Sequence, residues 1–275
     1  MARRRRFGQS LKHAPPHCPR SARDAPHALG NRLRARRRDT EAILRSLATD
    51  TLGTTLVLGL PEAPFAGLSY GDDTVIVFVP RRYRYHAEEG VPALVHFHGH
   101  NSTAERAIAA HALREQLVDS RQNAVLILPQ LARFAADSSC GRLAQPRGLA
   151  RLLENAISST ARLGRSSLGE SGFPGRAEPG RVCLSAHSGG FHAAACSLRT
   201  GGVDVSETYL FDALYAERDV FRDWVLERRG EPASSRHKLV SYFTPGATTE
   251  TAYRREMPRG YASRPGSISG HGSTV

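Results

Sequence analysis

Ser188 stands where a hydroxyl could become a nucleophile. The stretch Arg181-Val-Cys-Leu-Ser-Ala-His-Ser-Gly-Gly190 runs directly into Phe191-His-Ala-Ala-Ala-Cys-Ser-Leu198. A short apolar run stops at a small-x-Ser-x-Gly turn, and an Ala-rich helical segment begins at once. A serine on so tight a strand-to-helix turn is forced out of the sheet and lies near a helix N-terminus. The neighbours must be small because the strained turn brings backbones together. Ala186, Gly189 and Gly190 satisfy that, with Ala186 in place of the first glycine of G-x-S-x-G. An ordinary Gly-rich loop offers the same residue types; the strand before and the helix after favour the nucleophile.

A nucleophile needs elements to hold it. Asp73–Pro80, Val91–His98 and Asn123–Leu128 read as strands, with Thr55–Leu60 as an earlier one. The elbow strand, Glu207–Leu214 and His237–Phe243 follow. Helices are expected over Asp39–Leu52, Thr103–Ser120, Leu149–Leu163, the segment after the elbow, and Ala216–Arg228; Gly164–Gly180 reads as a loop. Strands alternating with helices from Asp73 to Phe243 predict a mainly parallel central sheet with helices on both faces. Sites in such α/β sheets lie beyond the carboxyl ends of the strands. The elbow, the loop after His98 and the loop after Pro129 project there.

With the elbow placed, His96-Phe-His-Gly-His-Asn101 at the end of the third of these strands gains meaning, and the chain resembles the α/β-hydrolase family over about Asp73–Phe243. The resemblance implies a three-layer sandwich and a serine hydrolase acting on an ester or amide through an acyl-enzyme. It implies an oxyanion hole formed by the backbone N–H of His100 or Asn101 and that of Gly189. No cofactor is required. His96, His98 and His100 alternate, which suits a metal; Gly99 breaks the strand before the third and no further ligand completes a spacing, so no metal is expected.

The base and its acid should follow the serine in the order acid, then His. Asp212, near the end of the strand after the elbow, is the first choice for the acid, against a structural or helix-capping role. Glu250, after the next strand, is the alternative. Downstream, His237 begins its strand at the wrong edge, leaving His271 as the base. His187 and His192 flank the serine but point away on an elbow. Gly260–Gly270 lacks the apolar run of a last strand, so that element is expected to be absent, shortened or replaced. A non-catalytic pseudo-hydrolase that binds a ligand or partner is therefore a second reading. Gln130, Asp137 and Ser138 could line a substrate loop. The substrate is a small-molecule or polymer-linked ester or amide.

Charge separates the chain into parts. The net charge is +12, but residues 1–40 hold eleven Arg and Lys12 against Asp24 and Asp39, about +10 of it. Residues 1–40 read as a disordered arm, 41–245 as the hydrolase-like domain, and 246–275 as an irregular tail. Nucleic-acid binding through the arm is a third, disfavoured reading, because interleaved aromatics are missing. Arg outnumbers Lys 36 to 2, as a GC-rich coding sequence would give, and the arm could be translated from upstream of the true start. No stretch approaches the roughly 20 apolar residues of a membrane span, and no apolar run follows the arginines as in an export signal. Cytoplasm is the default, with export open if the start is misplaced; oligomeric state is not readable. Cys183 and Cys196 read as core thiols and Cys18 and Cys140 as loop residues, with no disulfide framework.

Overall fold

The computed structural model describes residues 41–245 and 263–265. Nine strands form one sheet in the order β1-β2-β3-β5-β4-β6-β7-β8-β9. They are β1 (Ile43–Thr49), β2 (Gly53–Gly59), β3 (Thr74–Pro80), β4 (Val91–Phe97), β5 (Val125–Pro129), β6 (Pro179–His187), β7 (Val205–Phe211), β8 (Lys238–Phe243) and β9 (Ser263–Pro265). β1, β2 and β3 are antiparallel in sequence, and β3 meets β5 antiparallel. From β5 onward the pairs β5-β4, β4-β6, β6-β7, β7-β8 and β8-β9 are all parallel.

The sheet's two faces are visible in single strands. Val75, Val77 and Val79 of β3 and Val125 and Ile127 of β5 join the larger core, whereas Ile76, Phe78, Leu126 and Leu128 join a smaller one. This is the period-2 alternation of a strand buried on both sides. The larger core takes its helical side from α3 (Gly148–Leu163), α5 (Phe191–Thr200) and α6 (Arg218–Glu227), which follows the short α4 (Arg165–Leu168) and α5 in sequence. The smaller core is covered by α1 (Ala104–Ala110) and α2 (Leu113–Asp119) through Ala104, Ala107 and Leu117. The result is the expected α/β sandwich with helices on both faces. Among the described residues no helix is long and apolar enough to cross a membrane.

Three local expectations are corrected and a fourth is made specific. Residues 43–49 form an edge strand rather than a helix, pairing with β2 through a register shift between Leu44 and Ser46. Edge pairing there overrides a mixed local pattern. The helix expected over 103–120 is two helices, broken at Ala112, whose φ is +46°. The Gly164–Gly180 loop contains α4. The last strand, expected to be absent, shortened or replaced, is present in short form: β9 is three residues long and pairs Ser263 with Ser241.

A fourth correction concerns the thiols. Cys140 and Cys196 are joined as a disulfide, tying the loop after β5 to α5 across 56 residues. Both are buried in the larger core, and no sequence spacing announces such a pair. The arm of residues 1–40 lies outside the described residues, as does all of the 246–275 tail but β9.

Candidate active site

Ser188 tops β6, the strand paired with β4 on one side and β7 on the other. Its φ is +49°. A non-glycine residue held there carries strain of order 1–3 kcal/mol, and the surrounding packing must over-determine it. The packing does so through glycines. A Cβ on Gly190 would lie 2.5 Å from the Phe97 carbonyl oxygen and 2.9 Å from that of His98. One on Gly99 would lie 3.0 Å from Ser188 Cβ and from His187 Nδ1. The end of β4 and the turn after β6 therefore press together with no room for larger residues. A one-turn 3-10 segment at Ser188–Gly190 leads straight into α5. The turn has the strand, tight turn and helix layout that the sequence led one to expect there.

The loop after β4 is fixed by His98. Its Nε2 accepts the Leu131 N–H at 3.0 Å and a Gln130 amide N–H at 2.8 Å. Since Nε2 accepts, Nδ1 carries the hydrogen and donates to the Gly99 carbonyl at 2.8 Å. Burial pushes the His98 pKa down, only partly opposed by the Gly99 bond and by Asp72, so the ring stays neutral. Gln130 is 3% exposed and its Oε1 accepts the Ala104 N–H at 2.9 Å. Both ends of its amide are engaged, so Gln130 braces the loop instead of facing a substrate.

The two oxyanion candidates from this loop are now distinguished. The Asn101 N–H donates to the Ala135 carbonyl at 2.9 Å, which takes it out of use. The His100 N–H has no such partner among the described residues. The His100 imidazole lies against Gly189: a Cβ on Gly189 would collide with Cδ2 and Nε2 of that ring. The ring is held by Ser138 Oγ, 2.6 Å from Nε2. Next to it, Tyr70 O–H donates to Asp137 at 2.6 Å, and the Ser139 N–H donates to the same carboxylate at 2.7 Å. The Tyr70 bond first, and then the Ser139 N–H, hold the Asp137 carboxyl below its ordinary value. Ser138 thus touches the His100 ring and Asp137 is held by Tyr70 and Ser139, with Tyr70 a partner the sequence reading lacked.

Asp212 ends β7 in the left-handed region, with φ +44°. Its N–H donates to the Tyr242 carbonyl at 2.8 Å, and its carboxylate accepts the Thr244 N–H at 2.7 Å and the Thr244 hydroxyl. The carboxylate is anchored at the carboxyl edge of the sheet, close enough to His187 to pull that imidazole's pKa up against a larger downward push from burial. Glu250 and His271 lie outside the described residues.

The other histidines are placed clearly. His96 is buried, with Nδ1 2.8 Å from Ser185 Oγ, and burial lowers its pKa to about 3. His111, reoriented by the break before α2, stacks toward His187 with ring centroids 4.8 Å apart and toward His96 at 6.2 Å. His237 is buried on Trp224, its Nδ1 2.7 Å from the Trp224 carbonyl, and takes no part in the site.

A half-buried serine at positive φ on the turn after β6, a β4 loop pressed against that turn, and an anchored carboxylate at the next strand end define the arrangement. The fold is that of the α/β hydrolases. No protein-family model matches the chain, and no curated protein sequence matches it. Among solved structures it is similar to an acetyl xylan esterase from Paenibacillus sp. R4, with 12% identity over 90% of this chain and 89% of that one and a TM-score of 0.40. It is similar to a fluorophosphonate-binding serine hydrolase of Staphylococcus aureus, with 10% identity over 77% and 89% and a TM-score of 0.43. A thermostable carboxylesterase cloned from a metagenomic library gives 13% identity over 87% and 84% and a TM-score of 0.39. No residue role or substrate is carried over from these proteins; the α/β-hydrolase fold rests on the strand order and the elbow.

Proposed function

We propose that this protein hydrolyses a carboxylic ester through an acyl-enzyme on Ser188. The reading rests above all on the left-handed Ser188 backbone at the top of β6, wedged by Gly190 against the Phe97 carbonyl. Strain of that kind is retained where a hydroxyl must be presented. In the proposed reaction Ser188 Oγ attacks the ester carbonyl, and its proton passes to a histidine and then to the departing alcohol. The His100 and Gly189 N–H groups receive the oxyanion, a contribution of about 3 kcal/mol for one such donor. Water then attacks the acyl-enzyme, the same histidine takes its proton, and the acid leaves with Ser188 restored. Asp212 is the acid that orients the base, and His271 is the base on chain order, Ser then Asp then His. Amides are the harder alternative, because the amine leaving group must be protonated as it departs.

The test is intact mass after treatment with a fluorophosphonate, wild type beside Ser188→Ala, together with p-nitrophenyl acetate hydrolysis. One adduct and ester turnover on wild type alone support the reading. A folded wild type that takes no adduct overturns it.

A further inference from the structure

Four residues beyond the elbow, α5 carries a second group of reactive side chains. His192 and Cys196 are one helical turn apart and so share a face. Cys140 comes to that face from the loop after β5. One nitrogen of His192 and the two sulfurs lie within 4.8 Å of one another. The cysteines are 3% and 4% exposed, whereas the His192 side chain is about one-third exposed. The imidazole does not hang loose. Its Nδ1 meets Glu217 Oε1 at 3.1 Å, and Glu217 is clamped by Arg199 at 2.7 Å and 3.4 Å. Arg199 also approaches Cys196 Sγ at 3.9 Å.

A disulfide needs neither an imidazole beside it nor a carboxylate to hold that imidazole. Two sulfurs and one imidazole nitrogen are, however, three of the four ligands of a tetrahedral thiophilic cation. A carboxylate on one ring nitrogen is the support that orients a histidine ligand and makes its other nitrogen more basic. Here Glu217 meets His192 at Nδ1. The guanidinium near Cys196 favours the thiolate. The exposed side of His192 leaves the fourth position to solvent.

We propose that Cys140, Cys196 and His192, once the sulfur–sulfur bond is reduced, bind a divalent cation of the zinc class. A phosphine or dithiol reductant supplies two electrons, and with two protons the disulfide becomes two thiols. Cation binding then expels both protons to solvent and leaves a neutral bis-thiolate centre, so affinity rises with pH. Disulfide and cation exclude one another at the same sulfurs. The site lies outside the Ser188 machinery and stands whether or not the protein is an esterase.

The experiment uses the full chain, reduced with a phosphine under argon, freed of metal and titrated with Co2+. The expected result is one equivalent bound, with a sulfur-to-cobalt charge-transfer band in the near ultraviolet and the visible bands of a tetrahedral site, both removed by Zn2+. Cys196→Ser and Cys140→Ser abolish the charge-transfer band. His192→Ala, a partly exposed position that does not test folding, and Glu217→Gln each weaken binding roughly tenfold or more. Cys18→Ser, Cys183→Ser and Ser188→Ala all retain it. The proposal is overturned if the reduced, folded protein shows no charge-transfer band, if the band survives Cys196→Ser, or if His192→Ala binds as wild type does.

Discussion

The imidazole of His100 rests on the Cα of Gly189, so the side chain of one proposed oxyanion donor blocks any Cβ on the other. The ring is also held from outside by Ser138. Glycine at 189 is therefore set by a neighbour from a different strand, not only by the turn itself. Gly189→Ala must push the His100 ring aside and drag its backbone N–H with it. We expect ester hydrolysis to fall by roughly the 10²–10³ that losing one oxyanion donor costs. In the double variant Gly189→Ala with His100→Ala the collision is gone. Its rate should recover by at least tenfold over Gly189→Ala, measured as kcat/KM on p-nitrophenyl acetate. Equal rates in the two variants would show that the ring does not set the position of the loop.

Ser188 and Asp212 occupy the only two positive-φ positions that end neighbouring parallel strands, β6 and β7, among the described residues. The predicted roles differ in size. Ser188→Ala should lower kcat on p-nitrophenyl acetate by about 10⁴ or more, with a melting temperature close to wild type, because alanine is held at the same positive φ. Asp212→Asn keeps the Thr244 N–H bond through its amide oxygen and should lower kcat about 10²–10⁴-fold. A small loss in Asp212→Asn beside a large one in a Glu250→Gln variant would move the acid to the alternative position.

The long buried strands were readable because nearly every residue in them is apolar. TVIVFVP became β3, VPALVHF became β4, and the elbow at Ser188 was marked by its small neighbours. Residues 43–49 misled because their apolar positions do not alternate cleanly, and an edge strand buries too few of them to show a period of two. The turn at Ala112 has no Gly or Pro to mark it. Gln130 and His98 illustrate a different limit. The type of Gln130 suggested a pocket, but only the fold shows that it bonds the His98 ring and the start of α1 together. The Cys140–Cys196 meeting depends on how a loop folds over a helix, and nothing local in either segment encodes it.

His98 should matter for stability before it matters for chemistry. His98→Ala leaves the Leu131 N–H and the Gly99 carbonyl without their partners in a buried setting. Each orphaned group costs about 1–3 kcal/mol. A loss of roughly 3 kcal/mol should lower the melting temperature by about 6–12 °C in a domain of this size. Scanning calorimetry or thermal circular dichroism reads it directly. Because the ring also fixes the His100 loop, residual activity measured at low temperature should be reduced as well, chiefly in kcat. An unchanged melting temperature would mean that water replaces the ring.

Acid should destabilise the protein well above the carboxylate range, and the histidines around the elbow supply the reason. Burial depresses the His96 pKa to about 3 and pushes those of His98, His111 and His187 below the ordinary value as well. In the unfolded chain these rings protonate near pH 6.5, so below that pH the unfolded state binds more protons than the folded one. Stability is therefore complete above about pH 6.5 and is lost as the pH falls toward 3. The carboxyls with lowered values, Asp50, Asp137 and Glu207, contribute only below their ordinary values near 4, so the window from pH 6.5 to about 5 belongs to the histidines. One such proton gives a slope of about 1.4 kcal/mol per pH unit. For His96 alone, moving from pH 7.5 to 5.0 should cost about 2 kcal/mol. Urea midpoints at the two pH values measure the difference. His96→Leu should be less stable than wild type at pH 7.5, because the Ser185 hydroxyl loses its partner, yet its loss between pH 7.5 and 5.0 should be smaller by that amount. Parallel losses in wild type and variant would show that His96 protonates readily in the folded protein.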